Sequence, residues 1–218
     1  MSTAFLGTAV EDILEAVLDD DPEVLYVVNP SATVFERLTN AALEGDATLP
    51  SIRVLGERDV LNDAVDDFLV ASTAADLITA DALAIRTLPE LRAGSTMLGD
   101  GRAVALVEAG SVVGGLSTTD ADFVDVLTET IDRSWDEADA FSVRTPPISR
   151  VRETLESAIG PDVRDDFQAM LDALETVRGD RDDLDEVTVS LLVAAKNGVL
   201  LYDISKWGED VGIASKAT

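Results

Sequence analysis

The chain has 218 residues, 46% of them hydrophobic, which is enough for one large or two small domains with a buried core and excludes a disordered chain. Cysteine and histidine are both absent, which excludes disulfides, thiolate and imidazole metal ligands, cysteine nucleophiles and the usual general base at neutral pH. The net charge is −27, from 43 acidic and 16 basic residues, a balance that self-repels at low ionic strength and is screened at molar salt, where the Debye length is about 3 Å.

The acids are spread along the chain rather than gathered in a tail, and arginine outnumbers lysine 13 to 3. That pattern is the surface signature of a protein from a halophilic cytoplasm. No apolar run approaches bilayer length, and Met1 to Val10 carries no basic export-signal region, so a cytoplasmic protein without membrane partners is expected.

Phe5, Leu6, Val10, Ile13, Leu14 and Val17 fall on one helical face. Val24 to Val28 is a continuous apolar run that suits a buried strand. Asn29-Pro30-Ser31 reads as a turn and N-cap, followed by an amphipathic helix from Val34 to Leu43 that ends at Gly45. A second strand is expected at Ile52 to Leu55, a single helix at Val60 to Thr79 with Leu61, Val65, Phe68 and Leu69 inward, and a third strand at Leu83 to Leu88. Thr96–Gly99 and Arg102–Glu108 flank Asp100-Gly101, a strong hairpin signal. After Ala109-Gly110 comes a strand to Leu116, and Ser117 to Asp120 caps a long helix expected to reach Phe141.

The order β-α-β-α-β, a meander and a helix predicts an α/β domain: a mixed sheet with flanking helices, over residues 1–144. Thr145-Pro146-Pro147 forms a linker. Residues 148–218 read as all-helical, with helices from Ile148 to Ile159, Asp162 to Val177 and Asp185 to Asn197. The first two of these are candidates for a dimer interface.

Every lysine lies in the last 23 residues, where Lys196, Lys206 and Lys216 balance Asp203, Glu209 and Asp210. A surface that meets a polyanion explains this relaxation of acidity. Gly198 ends a helix, Asp203 to Val211 forms a short one, and Ile213 to Thr218 opens a third. That is the helix-turn-helix plan, with Ile204 and Val211 holding the pair together. Ser205, Lys206, Ser215, Lys216 and Thr218 are the candidate contacts to double-stranded DNA. An ordinary helical hairpin remains the alternative.

Catalytic signals are lacking. Carboxylate pairs such as Asp66-Asp67 and Asp182-Asp183 carry little information in so acidic a chain. Residues 110–115 lack the ending of a phosphate loop, and a serine triad needs the missing histidine. No enzymatic activity, metal or cofactor is expected. A small effector, a sugar or an anionic metabolite, could bind at strand ends and helix N-termini. Asn29, Ser31, Arg58, Arg86, Ser117 and Thr118 are the candidates, with Arg92 a further one; each arginine could equally serve a surface ion pair.

The hairpin and capped helix from Thr96 to Asp120 resemble the core of the phospholipase D-like fold, also the sensor domain of TrmB-type archaeal regulators. The motif His-x-Lys-x-x-x-x-Asp of its hydrolases meets Ala93, Ser95 and Asp100 here, so the resemblance implies a binding domain without catalysis. The segments VLYVVNPSATVFERLTNAALEG, GDGRAVALVEAG and LLVAAKNGVLLYDISKWGEDVGIASKAT resemble the haloarchaeal TbsP transcriptional regulators over essentially the whole chain. That resemblance implies a winged helix-turn-helix regulator of central carbon metabolism genes, and a homodimer is expected because one short reading head rarely provides enough specificity. It also implies a recognition helix and wing that continue past Thr218. An acidic protein-interaction module without DNA binding is the rival, and a phosphodiesterase the third option.

Overall fold

The computed structural model describes residues 4–6, 10–18, 22–44, 50–89, 94–109, 112–158 and 160–177, with Lys196, Lys206, Trp207 and Glu209. The chain divides into two compact units, one built from Met1–Ala64 and Leu77–Ser142, the other from Val65–Asp76 and Val143–Thr218.

The first unit is the expected mixed α/β sheet. In chain order its elements are β1 (Ala4–Leu6), α1 (Val10–Leu18), β2 (Val24–Val28), α2 (Ala32–Glu44), β3 (Ser51–Glu57), α3 (Arg58–Val65), β4 (Leu83–Leu88), β5 (Thr96–Gly99), β6 (Arg102–Ala109), β7 (Val112–Thr118), α5 (Ala121–Glu137) and β8 (Asp139–Ala140); α4 (Phe68–Thr79) precedes β4. The strands form one sheet in the order β1-β7-β6-β5-β2-β3-β4-β8. β2, β3 and β4 are parallel, and every other pairing is antiparallel.

Strand alternation assigns the two faces of the sheet. Leu25, Val27, Ile52, Val54, Met97, Val104 and Val113 are buried on one face, with the inward residues of α1 and α2. α1 approaches β7 closely at Gly115, where an added Cβ would lie 2.9 Å from Val104 and 3.2 Å from Ile13. A side chain there would push the helix off the sheet. Tyr26, Val28, Leu55, Leu98 and Ala103 form the second core with Val124, Ile131 and Trp135 of α5.

The Asp100-Gly101 hairpin forms as expected, with Gly101 at φ +83, a conformation open to glycine at no steric cost. Three expectations need correction. Phe5 and Leu6 belong to a strand, paired with Leu116 and Gly115 of β7, and not to the first helix. The helix expected from Val60 to Thr79 is two, because the Asp67 carboxylate accepts hydrogen bonds from the Leu69 and Val70 amides and starts α4 afresh. The helix expected to reach Phe141 ends at Glu137, since Asp139–Ala140 turns back as β8 against Thr87 and Arg86.

The second unit contains α6 (Ile148–Ala158), α7 (Pro161–Val177) and most of α4. Ile148, Val151 and Leu155 of α6 and Val163 and Phe167 of α7 are buried at helical spacing. Asp76 of α4 accepts from both the backbone N–H (3.0 Å) and the hydroxyl (2.6 Å) of Ser149, closing the first turn of α6. The helix expected at Asp185 to Asn197 lies outside the described residues except for Lys196. Among the described residues no helix is long and apolar enough to cross a membrane.

Candidate functional site

Among the described residues of the α/β unit, two of the cavities lie at opposite ends of its strands. The smaller, about 300 Å³, lies at the C-terminal ends of β3 and β4 and is lined by Arg58, Thr87 and Asp139 among others. Arg58 donates to Thr87 Oγ1 at 3.1 Å. Asn29 stands at the same sheet edge, at φ 50, and its backbone N–H donates to the Leu55 carbonyl at 2.7 Å. Ser31 uses its hydroxyl to cap α2, accepting from the Val34 amide at 3.2 Å. The C-terminal ends of β2 and β3 thus carry Asn29, Ser31 and Arg58, while Arg86 lies within β4 and turns to Trp135, donating to its backbone carbonyl.

Ser117 and Thr118 do not join them. Three antiparallel pairings separate β7 from β2, so its C-terminal end lies at the opposite sheet edge. Ser117 is buried, and the Thr118 hydroxyl accepts from the Asp120 amide. Asp120 itself caps α5, accepting from Phe123 N–H at 3.1 Å. Arg92 lies outside the described residues.

The larger cavity, about 580 Å³, lies between the sheet and one flank of α5. Its wall carries Tyr26 and Arg53, side by side in the parallel register of β2 and β3. Arg53 donates to the Tyr26 hydroxyl at 2.6 Å, and that hydroxyl donates to Asp132 at 2.5 Å. Burial and the bond to Asp132 push the phenol pKa above its ordinary value, against the opposing pull of Arg53. The Arg53 guanidinium lies 5.5 Å from the centroids of both the Tyr26 and Trp135 rings. No carboxylate pairs with it among the described residues, so guanidinium donors remain for a ligand. Asp100, Asp125, Glu129 and Asp132 line the same space. It offers acceptors for hydroxyl groups beside a cation, and its net negative charge disfavours an anion.

These cavity residues went unrecognised in the sequence, although a signal existed. Tyr26 and Arg53 are the polar positions within the apolar runs VLYVV and SIRVLGE. Their pairing across strands needs the register, which the sequence does not show.

In the second unit Lys206 is helical and exposed beside a buried Trp207. Lys196 is half exposed and pairs with Asp166 at 2.9 Å. Ser205, Ser215, Lys216 and Thr218 lie outside the described residues. Among the described residues no three His, Cys, Asp or Glu side chains gather to hold a metal ion.

Residues 2–146 match the family model described as transcriptional regulator TbsP-like, N-terminal, and residues 147–218 the model described as transcriptional regulator TbsP-like, C-terminal HTH domain. None of the curated proteins compared with the chain matches it. Among solved structures the chain is similar to TrmBL2, an archaeal chromatin protein whose structure shows a novel mode of DNA binding. The identity is 12% and the TM-score 0.46, over 65% of this chain and 54% of that one. The chain therefore spans about half the length of that protein.

Proposed function

Because the chain belongs to the TbsP-like transcriptional regulators, with a C-terminal helix-turn-helix domain for DNA, we propose that it is a homodimeric, cytoplasmic regulator of central carbon metabolism genes in a salt-loving cell. Its tail reads double-stranded DNA through Ser205, Lys206, Ser215, Lys216 and Thr218. The observation that carries this assignment is Lys206, turned outward on a helical residue while its neighbour Trp207 anchors inward. Two heads on one duplex supply the specificity that a single short helix lacks.

The α/β unit senses and does not catalyse. Its effector occupies the cavity of Arg53, where carboxylate acceptors and guanidinium donors suit a sugar better than an anionic metabolite. The smaller cavity at Arg58 is the alternative site and keeps Asn29, Ser31 and Arg86 nearby. Among the described residues no nucleophile is paired with a base that would support turnover.

An electrophoretic shift assay in molar KCl tests the reading head. The wild-type chain should retard promoter duplex, and Lys206→Glu with Lys216→Glu should abolish the shift. Unchanged binding by the double variant removes the assignment.

A further inference from the structure

Among its described residues the α/β unit exposes five large apolar side chains, Val107, Val112, Leu116, Phe123 and Val126, and the strand register places the first three together. Ala105 pairs with Leu116, Val107 with Gly114 and Ala109 with Val112, so these six residues share one face of β6 and β7. It is the face opposite α1, on the side where α5 packs. α5 leaves it open because the helix seats Val124 and Ile131 over Tyr26, Val28 and Leu98, farther along the sheet. One flank of the helix, with Asp125, Glu129 and Asp132, lines the larger cavity. Phe123 falls on the opposite flank by helical spacing, toward the bare strands, and the exposed Val126, one turn on, stands at its outer margin.

We infer that this shelf of β6, β7 and the first turns of α5 is where two copies of the chain pair, an inference that rests on the homodimer reading above. Charge identifies the occupant. All six outward strand positions are uncharged in a chain that carries −27. Two such chains can meet only where carboxylates do not face carboxylates. A basic partner would find better complementarity almost anywhere else on the surface. By contrast, the outward positions of α6 and the start of α7 include Arg150, Glu153, Glu156, Asp162 and Asp165, a charged surface less suited to self-association.

The area fits as well. At about 150–200 Å² for a whole large apolar residue, the fractional exposures of the five leave about 450 Å² open. That is over half of the about 800 Å² each partner gives to a stable interface, and the polar rim supplies the rest. A two-fold axis through the shelf buries the same patch twice and leaves no open-ended contact.

The absence of native cysteine makes the test clean. In 2 M KCl, sedimentation equilibrium of the wild-type chain should give twice the mass of one chain. Val107→Asp and Val126→Glu, on different elements, should each give one chain mass with an unchanged circular dichroism spectrum. A bismaleimide should join Leu116→Cys chains into dimers and leave Glu15→Cys, exposed on α1, as single chains. A dimer that survives both charge variants, with both cysteines linking equally, overturns the shelf and leaves the homodimer standing. A wild-type monomer at the same concentration overturns the homodimer and the shelf together.

Discussion

Arg86 lies over the Trp135 indole, 4.7 Å from the ring centroid, and donates to the backbone carbonyl of the same residue at 2.7 Å. One guanidinium thus holds the last turn of α5 to β4 in two ways, by satisfying a carbonyl near the helix end and by covering the ring. Arg86→Ala removes a charged hydrogen bond of about 1.5–3 kcal/mol and a ring contact of about 0.5–2 kcal/mol. Because Arg86 is only part-buried, a net loss of about 2 kcal/mol is expected, read from urea unfolding at high KCl. Arg86→Lys should recover only part, since an ammonium cannot lie flat on the ring while reaching the carbonyl. Full recovery by lysine would show that charge alone is at work.

The Tyr26 phenol is held neutral by burial first and by its bond to Asp132 second, with Arg53 opposing. The folded-state pKa is raised, so the contribution to stability is fully present below the unfolded value near 10. It is lost as pH climbs from there through the higher folded value. Tyr26→Phe should therefore delete a tyrosinate absorbance step that lies above the ordinary value. A single step at the ordinary value in the wild-type chain contradicts the assignment.

Asp67 restarts the chain as α4 by accepting from Leu69 N–H at 2.8 Å and Val70 N–H at 3.2 Å. Asp67→Ala should cost about 1 kcal/mol, and Asp67→Asn much less, because asparagine caps almost as well. Equal losses for the two substitutions would point to the charge rather than the cap.

With −27 charges on 218 residues, stability should depend on salt more than on any single contact. Between 0.15 and 2 M KCl the Debye length falls from about 8 Å to less than 3 Å. The thermal midpoint should climb throughout that range. A midpoint that is flat or falling with KCl removes the salt-adapted reading.

What could be read in the sequence was whatever is encoded locally. The β5–β6 turn was legible because Asp-Gly between apolar runs leaves few other conformations, and β2 because a run of five residues with four aliphatic side chains needs cover on both faces. Asp120 announced α5 by its place before the helix. What escaped depends on partners distant in sequence. Phe5 and Leu6 are strand only because β7 lies beside them, more than 100 residues away, and Asp139 turns only because Thr87 awaits it. The cavity escaped for the same reason, since Tyr26, Arg53 and Asp132 meet across 27 and 106 residues of chain.

The two-residue strand β8 matters beyond its size. It occupies the rim of β4 at Arg86 and Thr87, and the Phe141 amide continues the ladder to Ile85. In brine, where ions mute the repulsion that keeps acidic molecules apart, an uncovered rim of backbone amides would be a nucleus for fibril growth. Asp139 and Ala140 fill that rim with the chain's own backbone, so crowded copies in concentrated salt stay separate there by geometry where charge no longer protects them.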